Sequence, residues 1–113
     1  DALELLAETL EVVGYRTLRA TDGPAALALV AKARPALALL DIRLPGKDAY
    51  ELAPRLHATP GLAQLKLIAV TGYGQPSDRE RSAAAGFAEH LVKPVSLPTV
   101  QAAIERLRPR ATA

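Results

Sequence analysis

The sequence predicts an α/β fold in which a parallel sheet carries helices on both faces. Segments with apolar residues at helical spacing alternate with short strand-like segments along the chain, and this alternation is typical of parallel sheets. Three of the short segments are continuous apolar runs, as expected of strands buried on both faces. These runs end at Asp41, Thr71 and Lys93, whose side chains carry a carboxylate, a hydroxyl and an amine.

The composition is that of one globular domain over residues 1–113. Half of the residues are hydrophobic and 23% are charged, unlike a disordered chain. The net charge of +2 and the scattered basic residues predict no direct nucleic-acid binding. The absence of cysteine excludes disulfides and thiolate metal sites, and two histidines do not suggest a zinc site. No bilayer-length apolar run or signal peptide is present, so we expect a cytoplasmic domain without membrane binding.

The first third of the chain is interpreted as helix, strand and helix. Apolar spacing predicts a helix over residues 3–13, which Gly14 ends. The partly alternating segment Tyr15–Ala20 contains two arginines and is interpreted as an edge strand. Residues 22–24 (Asp-Gly-Pro) indicate a helix start, and Pro35 ends that helix.

The three apolar runs are predicted to be the remaining strands. They cover Ala36–Leu40, Lys66–Val70 and His90–Val92. Their length and lack of polar alternation favour central strands of a parallel sheet.

Three more helices are predicted around these strands. One follows Asp48 as its cap and contains Pro54, which should kink it. A helix of small residues over Ser77–Ala85 ends at Gly86, and a last helix begins after Ser96.

The strand ends suggest phosphoryl chemistry, because open parallel sheets bind ligands beyond the carboxyl ends of their strands. A carboxylate such as Asp41 is a usable nucleophile toward phosphorus and would form an acyl phosphate. An ammonium such as Lys93 and a hydroxyl such as Thr71 can contact the phosphoryl oxygens, with Mg²⁺ bridging the carboxylate and phosphoryl group. Each residue alone is commonly a turn former, a β-former or a solvated charge. Their occurrence at three successive strand ends favours a site.

The sequences of these segments resemble those of the receiver domains of response regulators. Residues 39–46 (Leu-Leu-Asp-Ile-Arg-Leu-Pro-Gly) are similar to the phosphoacceptor segment of that family. Residues 70–72 and 91–95 are similar to its switch-hydroxyl and Lys-Pro segments. The sequences of residues 72–75 and 90–94 most resemble those of receivers in hybrid sensor histidine kinases.

The resemblance implies a flavodoxin-like three-layer sandwich with the sheet order 2-1-3-4-5. It also implies that Asp41 accepts a phosphoryl group from a histidine kinase or phosphotransfer domain, and that Thr71 and Lys93 contact its oxygens. Asp41 and the main-chain carbonyl of Arg43 would be Mg²⁺ ligands, and the Lys93–Pro94 peptide bond would be cis.

The resemblance also implies a switch made of Thr71 and His90. It would act on the surface from Ser77 to Leu107, which is the fourth helix, fifth strand and fifth helix of the receiver fold. This surface is also a possible homodimer interface.

Two departures from the family pattern affect these expectations. The first receiver strand, which ends in an acidic metal-binding pair, is missing, so we expect it upstream of Asp1 and do not transfer its role to Asp1. His90 replaces the usual aromatic switch residue. The alternative to a switch role for His90 is that it is an ordinary half-exposed polar residue on a strand.

Two other functions are alternatives to a phosphoacceptor. Haloacid-dehalogenase-type enzymes need a second aspartate two residues after the nucleophile, and Arg43 at that position argues against such turnover. The alternative that stays open is a pseudo-receiver, a protein-interaction module that is not phosphorylated. We therefore expect a signalling phosphoacceptor that at most catalyses its own phosphorylation and dephosphorylation.

Overall fold

The computed structural model describes residues 2–18, 20, 23–42, 47–72 and 76–107. The side chains of residues 2–4, 41–42, 47–49 and 76–77 lie outside this description. Within the described residues there are five helices and three strands. In chain order they are α1 (Ala2–Val12), α2 (Gly23–Ala33), β1 (Leu37–Ile42), α3 (Lys47–Ala58), β2 (Lys66–Thr71), α4 (Pro76–Ala85), β3 (Glu89–Val92) and α5 (Leu97–Leu107).

The three strands form a parallel sheet in the order β1-β2-β3. The register aligns Leu37 with Lys66 at one end of β1 and Ile42 with Thr71 at the other. The central strand β2 is buried from its second residue to its last. The three apolar runs are therefore confirmed as strands, and their consecutive order agrees with the 3-4-5 part of the receiver sheet.

Alternate residues of β2 belong to two cores on opposite faces of the sheet. Leu67 and Ala69 lie in one core with residues of α2 and α3, whereas Ile68 and Val70 lie in the other with residues of α1 and α5. A strand alternates its side chains between two faces, so helices on both sides are required to bury all four. The first core contains Val30, Ala53, Leu56, Leu62, Leu65, Leu67, Ala69 and Phe87, and the second Leu6, Leu10, Ile68, Val70, Leu91, Val100, Ala103 and Ile104. This is the predicted three-layer α/β architecture.

The helix ends follow the local signals in the sequence. Ser96 caps α5, since its hydroxyl oxygen accepts a hydrogen bond from the Thr99 amide at 3.3 Å. Gly86 follows α4 with φ of +106°, a left-handed conformation that favours glycine. Helix α3 begins at Lys47, so Asp48 lies in its first turn and not at its cap, and the helix continues through Pro54.

The predicted strand Tyr15–Ala20 is wrong for the residues that the structure describes. Residues 15–18 and 20 have no strand conformation, although Tyr15 makes a main-chain hydrogen bond back to Leu10. A strand depends on a ladder of hydrogen bonds to a neighbour, and no described strand lies beside this segment. The expectation of a strand upstream of Asp1 stays a prediction.

Candidate functional site

Asp41 lies at the carboxyl end of β1, one residue before the end of the strand. Its main chain is paired with that of Val70, and the next pair is Ile42 with Thr71. The register thus sets Asp41 beside the end of the neighbouring strand. The predicted metal ligands, the Asp41 carboxylate and the Arg43 carbonyl, lie outside the described residues.

Thr71 and Lys93 are joined through the main chain at the same edge of the sheet. Thr71 is the last residue of β2 and is 1% exposed. The Lys93 amide donates a hydrogen bond of 2.7 Å to the Thr71 carbonyl oxygen. Lys93 follows β3 directly, and its peptide bond to Pro94 is cis, in agreement with the resemblance. The three predicted phosphoryl-site residues therefore belong to one end of the sheet.

His90 lies on β3 and is hydrogen-bonded to α4. Its register partner on β2 is Ala69. The ring Nδ1 of His90 is 2.8 Å from the hydroxyl oxygen of Ser82. The Arg79 guanidinium also donates a longer bond of 3.4 Å to the His90 carbonyl oxygen. His90 is half-buried, and its ring is held by a specific contact.

The surface formed by α4, β3 and α5 also contains an ion pair. The Arg106 guanidinium of α5 lies 2.8 Å from a carboxylate oxygen of Glu89 on β3. The hydrogen bond to Glu89 and the charge of that carboxylate raise the pKa of Arg106 above its ordinary value. Because Arg106 is exposed, this pair orients α5 on β3 without contributing much stability.

The predicted Mg²⁺ ligands are suitable in kind, because a carboxylate and a main-chain carbonyl both supply the oxygen atoms that Mg²⁺ prefers. Within the described part of the chain, no group of three or more acidic or histidine residues could hold a metal ion, and the Asp41 side chain and Arg43 lie outside that part. Among the described residues, no helix has the length and apolar character needed to cross a membrane.

An open cleft of about 380 Å³ lies at the other end of the sheet. It is lined by residues that precede β1 and β2, including Arg34, Ala36 and Leu65. The predicted phosphoryl site therefore does not coincide with this cleft.

Sequence reasoning missed Ser82. Its only sequence signal is that it is a polar residue among the alanines of a helix with no large apolar side chain. It is nevertheless 1% exposed, and with Thr71 it is one of two buried polar residues in the described part of the chain.

Comparison with known proteins supports the receiver fold over nearly the full sequence. Sporulation initiation phosphotransferase F of Bacillus subtilis is 32% identical over 105 residues, which cover 93% of this chain and 83% of that protein. The structure of the chemotaxis protein CheY4 of Vibrio cholerae is similar with a TM-score of 0.84 and 25% identity, covering 92% of this chain and 87% of that one.

A third similar protein is the receiver domain of a sensor histidine kinase from Pseudomonas aeruginosa, whose structure holds a magnesium ion in its active-site cleft. Its TM-score is 0.76 at 28% identity, with coverage of 93% of this chain and 84% of that one. The family described as the response regulator receiver domain matches residues 1–105. The fold, the strand-end residues and these similarities agree, and the chain belongs to the response regulator receiver domain family, the phosphoacceptor domains of two-component signalling.

Proposed function

We propose that Asp41 is the residue that accepts the phosphoryl group. The observation that carries this proposal is the position of Asp41 at the carboxyl end of β1, in register beside the strand that ends at Thr71. Lys93 is tied to Thr71 by the main-chain hydrogen bond at that same edge. This arrangement supplies a nucleophile, a hydroxyl and a cation to one region.

In the proposed reaction, a carboxylate oxygen of Asp41 attacks the phosphorus atom of a phosphohistidine in the donor protein. The new O–P bond forms as the N–P bond breaks, and the imidazole nitrogen of the donor keeps the bonding electron pair. The Lys93 ammonium pairs with one phosphoryl oxygen, and the Thr71 hydroxyl donates a hydrogen bond to another. The protein therefore contributes mainly positioning and charge compensation.

Mg²⁺ would be held by the Asp41 carboxylate and the Arg43 carbonyl, and it would offset negative charge on the phosphoryl oxygens when bound. Both groups would present oxygen atoms, which are the ligands that Mg²⁺ prefers.

Receiver domains interact with histidine kinases and phosphotransfer proteins. For this chain we propose a cytoplasmic location, a histidine kinase or phosphotransfer domain as the donor, and self-catalysed phosphorylation from small phosphodonors. A phosphoryl group on Asp41 would draw Thr71 toward it and release space for His90 to rotate. The surface of residues 77–107 would then change and present a binding or homodimer interface.

The test is phosphorylation with acetyl phosphate and Mg²⁺, followed by mass spectrometry and acid and base treatment. We expect one acid-stable, base-labile phosphoryl group, which addition of a metal chelator prevents. Asp41→Asn should abolish labelling and leave the thermal unfolding curve unchanged, because the amide has the shape of the carboxylate but is not nucleophilic.

The control is Asp78→Asn, which changes a carboxylate on α4 and should keep the labelling. Full labelling of Asp41→Asn would rule out Asp41 as the main acceptor. A folded wild-type protein that takes no label from any donor would instead support the pseudo-receiver alternative.

A further inference from the structure

Helix α4 contacts the rest of the domain through polar side chains and through the small apolar side chain of Ala85, which packs against the core that β2 shares with α2 and α3. Its sequence contains no large aliphatic or aromatic residue. Of its side chains that the structure describes, Ser82 alone is buried. Alanine and serine bury little apolar area, so hydrophobic burial contributes little to the position of this helix. Specific polar contacts should therefore contribute to that position.

Two of the polar contacts of α4 end on one residue of β3. The Ser82 hydroxyl oxygen is 2.8 Å from Nδ1 of His90, and Arg79 reaches the His90 carbonyl at 3.4 Å. The second bond is long and exposed, so it is the weaker one. A third contact joins α4 to α3, where the Arg81 guanidinium lies 5.5 Å from the ring centre of Tyr50. Among these three contacts, the bond between Ser82 and His90 is the one made by a buried side chain of α4.

This attachment closes a circuit of contacts around the proposed phosphoryl site. The chain leaves β2 at Thr71 and enters α4 at Pro76. Ser82 then connects α4 to His90, and three residues later the Lys93 amide donates back to the Thr71 carbonyl. His90 is in register with Ala69, and Ala69 lies two residues before Thr71 on the same strand. The side chains of His90 and Thr71 therefore lie on the same face of the sheet.

We propose that Ser82 is a positioning residue, whose hydroxyl fixes the ring orientation of His90 and makes α4 move with that ring. The bond selects one ring orientation whichever tautomer is present, because Nδ1 can accept from the hydroxyl or donate to it. Rotation of the His90 ring away from this bond would leave a buried hydroxyl without its partner, which is unfavourable unless α4 moves as well. The role in signalling rests on the proposed function, whereas the Ser82–His90 coupling does not.

The coupling is tested first without phosphate, in wild type, Ser82→Ala, His90→Phe and the double variant. Nitrogen NMR reports the His90 ring, and hydrogen exchange reports the α4 amides. Ser82→Ala should shift the His90 Nδ1 resonance and speed α4 exchange by about threefold to tenfold, the factor expected for one lost hydrogen bond. This acceleration would occur although alanine is the better helix former.

The double variant separates coupling from a general loss of stability. In the His90→Phe background, Ser82→Ala should cause no further acceleration of α4 exchange, because the bond is already absent. An unchanged His90 Nδ1 resonance in Ser82→Ala, or fully additive effects in the double variant, would overturn the coupling.

The signalling role is tested with acetyl phosphate and Mg²⁺. In wild type, labelling of Asp41 should shift the amide resonances of α4 and β3 together. In Ser82→Ala, labelling should persist while the α4 shifts fall to less than half of their wild-type size. Full-size α4 shifts in labelled Ser82→Ala would defeat this inference alone. A lack of label on wild-type Asp41 would defeat the proposed function and the signalling role, with the coupling still decided by the first experiment.

Discussion

Leu67→Ala should be among the most damaging single truncations in this domain. Leu67 is 0% exposed and lies in the core that β2 shares with α2 and α3. Its register partner on β1 is Ala38, and the next β2 residue on the same face is Ala69. These short side chains cannot extend into the space that a truncated leucine leaves, so most of the cavity should persist.

Because the cavity should persist, the loss of unfolding free energy should lie in the upper part of the range for leucine truncations. We expect the free energy of unfolding to fall by about 3–5 kcal/mol. The total for a domain of this size is on the order of 5–15 kcal/mol. At roughly 4–8 °C for each kcal/mol, the melting temperature should fall by at least about 12 °C.

Urea unfolding followed by circular dichroism measures this loss, with an unchanged m-value showing that the unfolded state is the same. Leu5→Ala is the matched control, since Leu5 on α1 is 66% exposed and the change should stay within about 0.5 kcal/mol. If Leu67→Ala costs less than about 1 kcal/mol, or no more than Leu5→Ala, the two-sided core described for β2 is incorrect.

Two further substitutions should lower the stability of the domain because of local geometry. Ser96→Ala removes the acceptor for the Thr99 amide and should lower the free energy of unfolding by about 0.5–2 kcal/mol; urea unfolding measures it, and no loss would mean that the cap is not formed. Gly86→Ala forces a side chain into φ of +106° and brings its Cβ to 3.1 Å from the His57 ring. The expected loss is about 1–3 kcal/mol, and an unchanged melting temperature would contradict that conformation.

The strands and strand ends could be predicted because their sequence signals are local. Each apolar run predicted a strand, and the residue after it is fixed by the chain itself. The predicted burial on both faces holds for β2, whereas residues 37–40 of β1 are half-buried and Val92 of β3 is exposed. The positions of Thr71 and Lys93 relative to one another followed from parallel strand order alone. The contact between Ser82 and His90 could not be predicted in this way, because it depends on how α4 is rotated about its axis. A helix without a large apolar residue gives no stripe from which that rotation can be read.

The segment Tyr15–Ala20 shows the limit of periodicity, because alternation describes the two faces of a strand and not its neighbour. Within the described residues, the amides of Arg16, Thr17 and Leu18 have no main-chain partner, whereas Ile68 and Val70 lie in a strand paired on both sides. We therefore expect the amide hydrogens of Arg16, Thr17 and Leu18 to exchange at rates within about tenfold of those in an unstructured peptide. The amide hydrogens of β2 should exchange only through global unfolding. Native-state hydrogen exchange read by NMR distinguishes the two groups. Protection of residues 16–18 comparable to that of β2 would show that a strand pairs with them in solution and that the segment is an edge strand after all.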